Sequence, residues 1–143
     1  MAAYTDLVTI KKYLPEVTIL QLTDDDNVGS IVQEVIDEAI LGAQTMVDAY
    51  MRGRYPAEIA EGSVPQLIKD LTTKIACYNL FRRKISLTIP EVIVDDYKSC
   101  LSILRDIQSG KVTPFPVTSE PVVIIGNRTD VDKDFSSDIW EMY

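Results

Sequence analysis

Residues 30–56, SIVQEVIDEAILGAQTMVDAYMRGRYP, decide the fold. At helical spacing Val32, Val35, Ile36, Ala39, Ala43, Met46, Val47 and Tyr50 fall on one stripe, with Gln33, Glu34, Asp37, Gln44 and Asp48 mostly opposite. Ser30 and Gln33 have the spacing of a capping box, which predicts the helix start. At the other end Arg52 suits the negative pole of the helix dipole, Gly53 can turn left-handed, and Pro56 bars resumption. Ile40, Leu41 and Met51 lie off the stripe. A helix apolar on more than one side is expected to be the central one.

On the N-terminal side, Thr5 is placed to cap a short helix over residues 6–14, which Pro15 stops. Ile19, Leu20 and Leu22 then form an apolar patch before Asp24, Asp25, Asp26 and Asn27, side chains that suit a turn near the positive pole of the central helix. Consecutive carboxylates do not converge on a cation as the alternating ligands of a calcium loop do.

On the C-terminal side, Ser63, Pro65 and Gln66 make a second capping box with an early proline. The helix it opens carries Leu67, Ile68, Leu71, Ile75 and Tyr78 on one face and runs to about Arg83. Arg82, Arg83 and Lys84 at its end either complement the dipole or meet an acidic partner. Thr88, Pro90 and Glu91 repeat the design, and Ile93, Tyr97, Cys100, Leu101, Leu104 and Ile107 line a helix that stops at Gly110. The fold class is therefore all-α, a four- to five-helix bundle-like domain over residues 1–112.

Residues 113–143 read as an extended, partly β arm. Pro114, Pro116 and Pro121 favour extended backbone, and Val122, Val123, Ile124 and Ile125 form a β-prone run closed by Gly126 and Asn127. Such a run must fold back, pair in a hairpin, or add to another molecule. Phe135, Trp140 and Tyr143 stand among carboxylates, as interface anchors or as residues that dock the arm on its own bundle.

The 143 residues suit one domain, and their formal charge of −8 disfavours general binding to nucleic acid or an anionic membrane. No apolar run approaches the ~20 residues of a membrane span, and the first residues lack the pattern of a signal peptide, so the chain is expected inside a cell. Cys77 and Cys100 occupy apolar helical positions and read as buried reduced thiols. With no histidine in the sequence, zinc lacks ligands and a nucleophile lacks its usual base. Asp130, Asp132, Asp134, Asp138 and Glu141 match positions of a calcium loop, but Phe135 stands where that loop needs glycine and only Met142 and Tyr143 follow; a solvated acidic tail fits better. The six glycines are isolated, so no phosphate loop appears. No catalytic, cofactor or metal residues are assigned.

Several segments together resemble the gene-product-thirty-six family of Mu-like phages: Leu22-Thr23-Asp24, residues 36–39, and above all VDAYMRGRYP at 47–56. The likeness continues through Pro65, Leu67, Leu71, the run IACYNL at 75–80, Tyr97, Leu101 and LRDIQSGK at 104–111. It covers roughly residues 4–112. The resemblance implies a phage or prophage structural protein of the virion, or of the bacterial host cytoplasm when expressed from a prophage. It would be similar to the helical head-tail connector proteins of the neck, which form a ring beneath the portal, and it implies no catalytic site. Partners would be other copies of itself, the portal, or other neck and tail proteins. Expected interface residues are Val122, Val123, Ile124, Ile125, Phe135 and Trp140 on the arm, with Arg52, Arg54 and Tyr55 at the end of the central helix; for the two arginines, helix-end charge and loop support are the alternative. A helical binding module, monomeric or dimeric, that regulates one partner is the competing expectation, and an enzyme would require a carboxylate-bound metal.

Overall fold

Prolines, rather than capping boxes, punctuate this chain. A computed structural model describes residues 3–55 and 59–116, which form α1 (Leu7–Tyr13), α2 (Glu16–Thr23), α3 (Gln33–Met51), α4 (Gln66–Arg82) and α5 (Glu91–Ser109). Pro15, Pro65 and Pro90 stand immediately before α2, α4 and α5, with φ of −58°, −61° and −56° and extended ψ. A proline there loses nothing by lacking an N–H, because the first amides of a helix have no intrahelical acceptor. No side chain caps any of these three helices. The boxes expected at Ser63–Gln66 and Thr88–Glu91 are thus replaced by proline starts.

The box at Ser30 also does not form. The N-cap of α3 is Val32, whose amide donates to the hydroxyl of Thr23 at 3.3 Å, so the end of α2 supplies the missing acceptor. At α1 the cap is Asp6, not Thr5: its carboxylate accepts from the Thr9 amide at 2.8 Å and the Thr9 hydroxyl at 2.7 Å. Thr5 is buried instead and shares a 2.7 Å hydrogen bond with the hydroxyl of Thr73. The patch of Ile19, Leu20 and Leu22 is a helix in its own right, α2, with Ile19 and Leu22 buried.

The architecture is all-α, and no strand occurs among the described residues. Side-chain bonds set the helix directions. Asn79 Nδ2 donates to the Ala39 carbonyl at 3.3 Å, while Tyr4 and Thr5 bridge Gln44 of α3 and Thr73 of α4, so α3 and α4 run antiparallel. Tyr78 and Tyr97 stack 3.9 Å apart between α4 and α5.

The centre of the fold is α4, not α3. It packs against all four other helices, whereas α3 packs substantially on α2, α4 and α5. Its periodicity concealed this because Thr72 and Thr73 lie inside with no exposed surface. Their hydroxyls donate to the carbonyls of Ile68 and Lys69, each at 2.7 Å, so burial leaves no hydroxyl unsatisfied. In α3, Ile40 and Met51 are buried as the off-stripe residues should be, and so is Gln44; Leu41 is exposed. The helix ends without a left-handed glycine: Arg52 keeps right-handed geometry, and the Arg54 and Tyr55 amides both donate to the Met51 carbonyl at 3.0 Å. Gly53 has no positive φ, whereas Gly110 closes α5 at φ +84° as expected.

Cys77 and Cys100 are both buried and unbridged, and burial pushes their thiols up to about 12 and about 11. At neutral pH both are protonated and poor nucleophiles.

Candidate assembly surfaces

The helix directions give the bundle two unlike ends. One end gathers the C-termini of α3 and α5 and the start of α4; the other gathers the loops 24–32 and 83–90.

At the first end, the described part of that stretch, VDAYMRGRY at 47–55, folds inward on its own bundle. Arg54 Nε donates to the Gln108 carbonyl at 2.9 Å and Nη2 to that of Ser109 at 3.1 Å. A guanidinium thus caps the C-terminus of α5, satisfying carbonyls that the helix leaves open and matching its negative pole. Gly110 itself lies so close to this cap that a Cβ on it would stand 2.6 Å from Arg54 Cζ. Beyond it Pro114 is buried, and the ring of Phe115 packs 5.1 Å from that of Tyr55. The arm therefore starts from a fixed root. Of the expected interface residues, Arg52 is exposed, Arg54 is engaged with α5, and Tyr55 is half-buried against Phe115. Val122, Val123, Ile124, Ile125, Phe135 and Trp140 lie outside the described residues, as do the calcium-loop-like carboxylates.

At the second end, two runs of opposite charge meet. Arg83 Nη2 and Nη1 reach the Asp25 carboxylate at 2.6 and 3.1 Å, Lys84 Nζ reaches it at 3.0 Å, and Arg83 Nη1 also donates to the Leu22 carbonyl at 2.9 Å. Asp24 holds the neighbouring turn, accepting from the Val28 and Gly29 amides at 2.9 and 2.7 Å. The Asp24–Asp26 run thus folds its own loop and staples it to the end of α4. Arg83, then Lys84, hold the Asp25 carboxyl down at about 2, from an ordinary 3.8.

A carboxyl whose folded pKa is depressed stabilises the fold above its unfolded pKa, and that contribution disappears as pH falls through the folded value. Asp25→Asn is therefore expected to lower the urea midpoint at about pH 5, with the gap to the parent closing as pH drops from about 4 to about 2. Equilibrium unfolding at stepped pH measures it; a gap unchanged at pH 2 would exclude the staple.

The staple supports a surface that reading the sequence missed. Lys84 opens a turn closed by the Leu87 amide on the Lys84 carbonyl at 3.2 Å, and this turn carries Ile85 at its tip, 99% exposed. Val28 on the facing loop is 73% exposed and Val92 in the first turn of α5 is 69% exposed. Of the eight exposed large hydrophobics among the described residues, four (Val28, Ile85, Leu87 and Val92) lie at this end. The alternation Ile85, Leu87, Ile89 was visible in the sequence, but nothing there said which of these residues would stay uncovered.

Among the described residues no group of acidic or cysteine side chains is arranged to hold a metal ion, and no helix is long and apolar enough to cross a membrane. No curated protein matches the chain closely enough to count as a relative. A sequence family described as "Bacteriophage Mu, Gp36" matches residues 4–123, a span that takes in all five helices, the Arg54 cap and the Asp25 staple. With that match running over most of its length, the chain belongs to the Mu Gp36 family and is a phage protein.

Proposed function

We propose that this phage protein is a structural component of the head-tail connector, or neck, that acts without catalysis by assembling with copies of itself into a ring and with the portal or adjoining neck proteins. It would work in the virion, and in the host cytoplasm before assembly. The observation that carries the proposal is the unlikeness of the bundle's two ends. One presents apolar side chains on a turn made rigid by ion pairs, and the other roots the arm through Phe115. A subunit whose two ends differ is suited to heterologous contacts, which close into a ring when the rotation permits. The acidic charge of −8 favours protein partners over nucleic acid.

The test is the mass of the full chain by light scattering over a wide concentration range, with a pull-down against purified portal. A closed oligomer, alone or on portal, is the expected result. A chain that stays monomeric or dimeric and does not bind portal would instead be the regulatory binding module.

A further inference from the structure

We propose that the stapled apolar end, the turn 84–87 with Val28 beside it, is the receptor for the run Val122–Ile125 of a second copy of this chain. The inference rests on the assembly proposed above and names its contact.

The receptor is built to stay exposed. Ile85 is held at the tip of a hydrogen-bonded turn whose first residue, Lys84, is pinned by Asp25, and it covers nothing in its own bundle. Beside the turn a cleft of about 430 Å3 is lined in part by Leu20, Asp24, Asn27, Lys84 and Leu87. Clustered large apolar side chains on a rigid surface mark an interaction site, whereas scattered ones do not. Leu20 and Leu87 give an otherwise polar lining its aliphatic part, which suits aliphatic side chains such as those of four consecutive valines and isoleucines.

Reach selects a second copy as the occupant. The arm leaves from Phe115, which packs on Tyr55 at the far end of α3 and close to the C-terminus of α5. The receptor turn lies beyond the N-terminus of α5, a helix of 19 residues and so about 28 Å long. From Pro116 to Val122 there are six residue steps, which span at most about 20 Å when fully extended. The start of the run therefore falls short of its own receptor, and even a fully extended chain would bring no more than its last two residues, Ile124 and Ile125, to the receptor's edge, so the run as a whole cannot lie on the receptor of its own subunit. A copy stacked with its turn against this subunit's Phe115 end brings the two within reach. The contact is then heterologous, each subunit giving its arm to the next and receiving one from the last.

The experiment uses the full chain, with Ile85→Asp as the receptor-dead variant, Ile124→Asp as the arm-dead variant, and Val8→Asp as a control at a residue 66% exposed elsewhere on the surface. Substitution at such exposed positions as Ile85 and Val8 leaves stability nearly unchanged. Mass is read by light scattering under the condition, free or on portal, in which the wild type assembles. Ile85→Asp and Ile124→Asp should each weaken assembly at least tenfold, while Val8→Asp assembles normally. An equimolar mixture of the two dead variants should form a dimer and stop there, because one retains a working arm and the other a working turn. Normal assembly by either dead variant, failure of the mixture to pair, or equal weakening by Val8→Asp would overturn the pairing while leaving the assembly of the wild type standing. A wild type that does not assemble under either condition would overturn the connector proposal and the pairing with it.

Discussion

Truncating Ile75 to alanine is expected to lower the free energy of unfolding by about 3–4 kcal/mol, among the largest losses available to one substitution in this chain. Ile75 has no exposed surface and lies in the middle of α4, the helix that touches every other element. Removing its three outer carbons forfeits transfer free energy and leaves a cavity walled by several helices, which cannot collapse independently to fill it. Leu41→Ala on α3 provides the contrast. Leu41 is 56% exposed, so its truncation should stay within about 0.5 kcal/mol, although its off-stripe position gave it as good a claim to the interior. Urea unfolding followed by helical circular dichroism measures both. A loss below about 1 kcal/mol for Ile75→Ala would mean that α4 is not the hub.

That contrast illustrates what periodicity can and cannot report. It detects a stripe, so α3 and α5, each with one broad apolar face, were legible almost to their ends. It cannot detect a helix buried through its threonines: the hydroxyls of Thr72 and Thr73 count as polar in sequence, yet each is satisfied by a carbonyl one turn back and enters the core at little cost. Nor did it detect α2, whose eight residues make little more than two turns and whose proline start looked only like the stop of α1. The candidate surfaces failed to appear for a different reason. Asp25 and Arg83 are 58 positions apart, and Arg54 is 54 positions from the Gln108 carbonyl that it caps. Both charge runs and the arginine were noticed, and the dipole at a local helix end was the nearest explanation for each cation. Only the antiparallel path of the helices shows that their partners belong to other elements. The exposed Ile85 was hidden for the complementary reason, since an apolar residue in sequence carries no sign that it will be left outside.

Replacing Gly110 with alanine is expected to cost about 2–3 kcal/mol, and the loss should shrink by about 1 kcal/mol when Arg54 is absent. Two separate effects meet at this glycine. Its φ of +84° is left-handed, which costs an L-residue roughly 1–2 kcal/mol wherever it occurs. In addition, its new Cβ would stand 2.6 Å from Cζ and 2.7 Å from both terminal nitrogens of Arg54. The obstacle is the far end of a flexible side chain, so the backbone need not move; Arg54 swings away and surrenders its bonds to the Gln108 and Ser109 carbonyls. The second cost is therefore capped at the worth of that helix cap, about 1 kcal/mol for a solvent-facing arrangement. Arg54→Ala alone should lose the same amount. The double variant should consequently be more stable than the sum of the single losses implies, by about that 1 kcal/mol, because the cap can be lost only once. The assigned ring signals of Tyr55, which packs on Phe115, add a local readout by NMR: both Arg54→Ala and Gly110→Ala should loosen the root of the arm, and the double variant should loosen it no further. Strict additivity in a denaturant-unfolding cycle would show that the guanidinium and the glycine act independently, and that the strain at φ +84° accounts for Gly110 by itself.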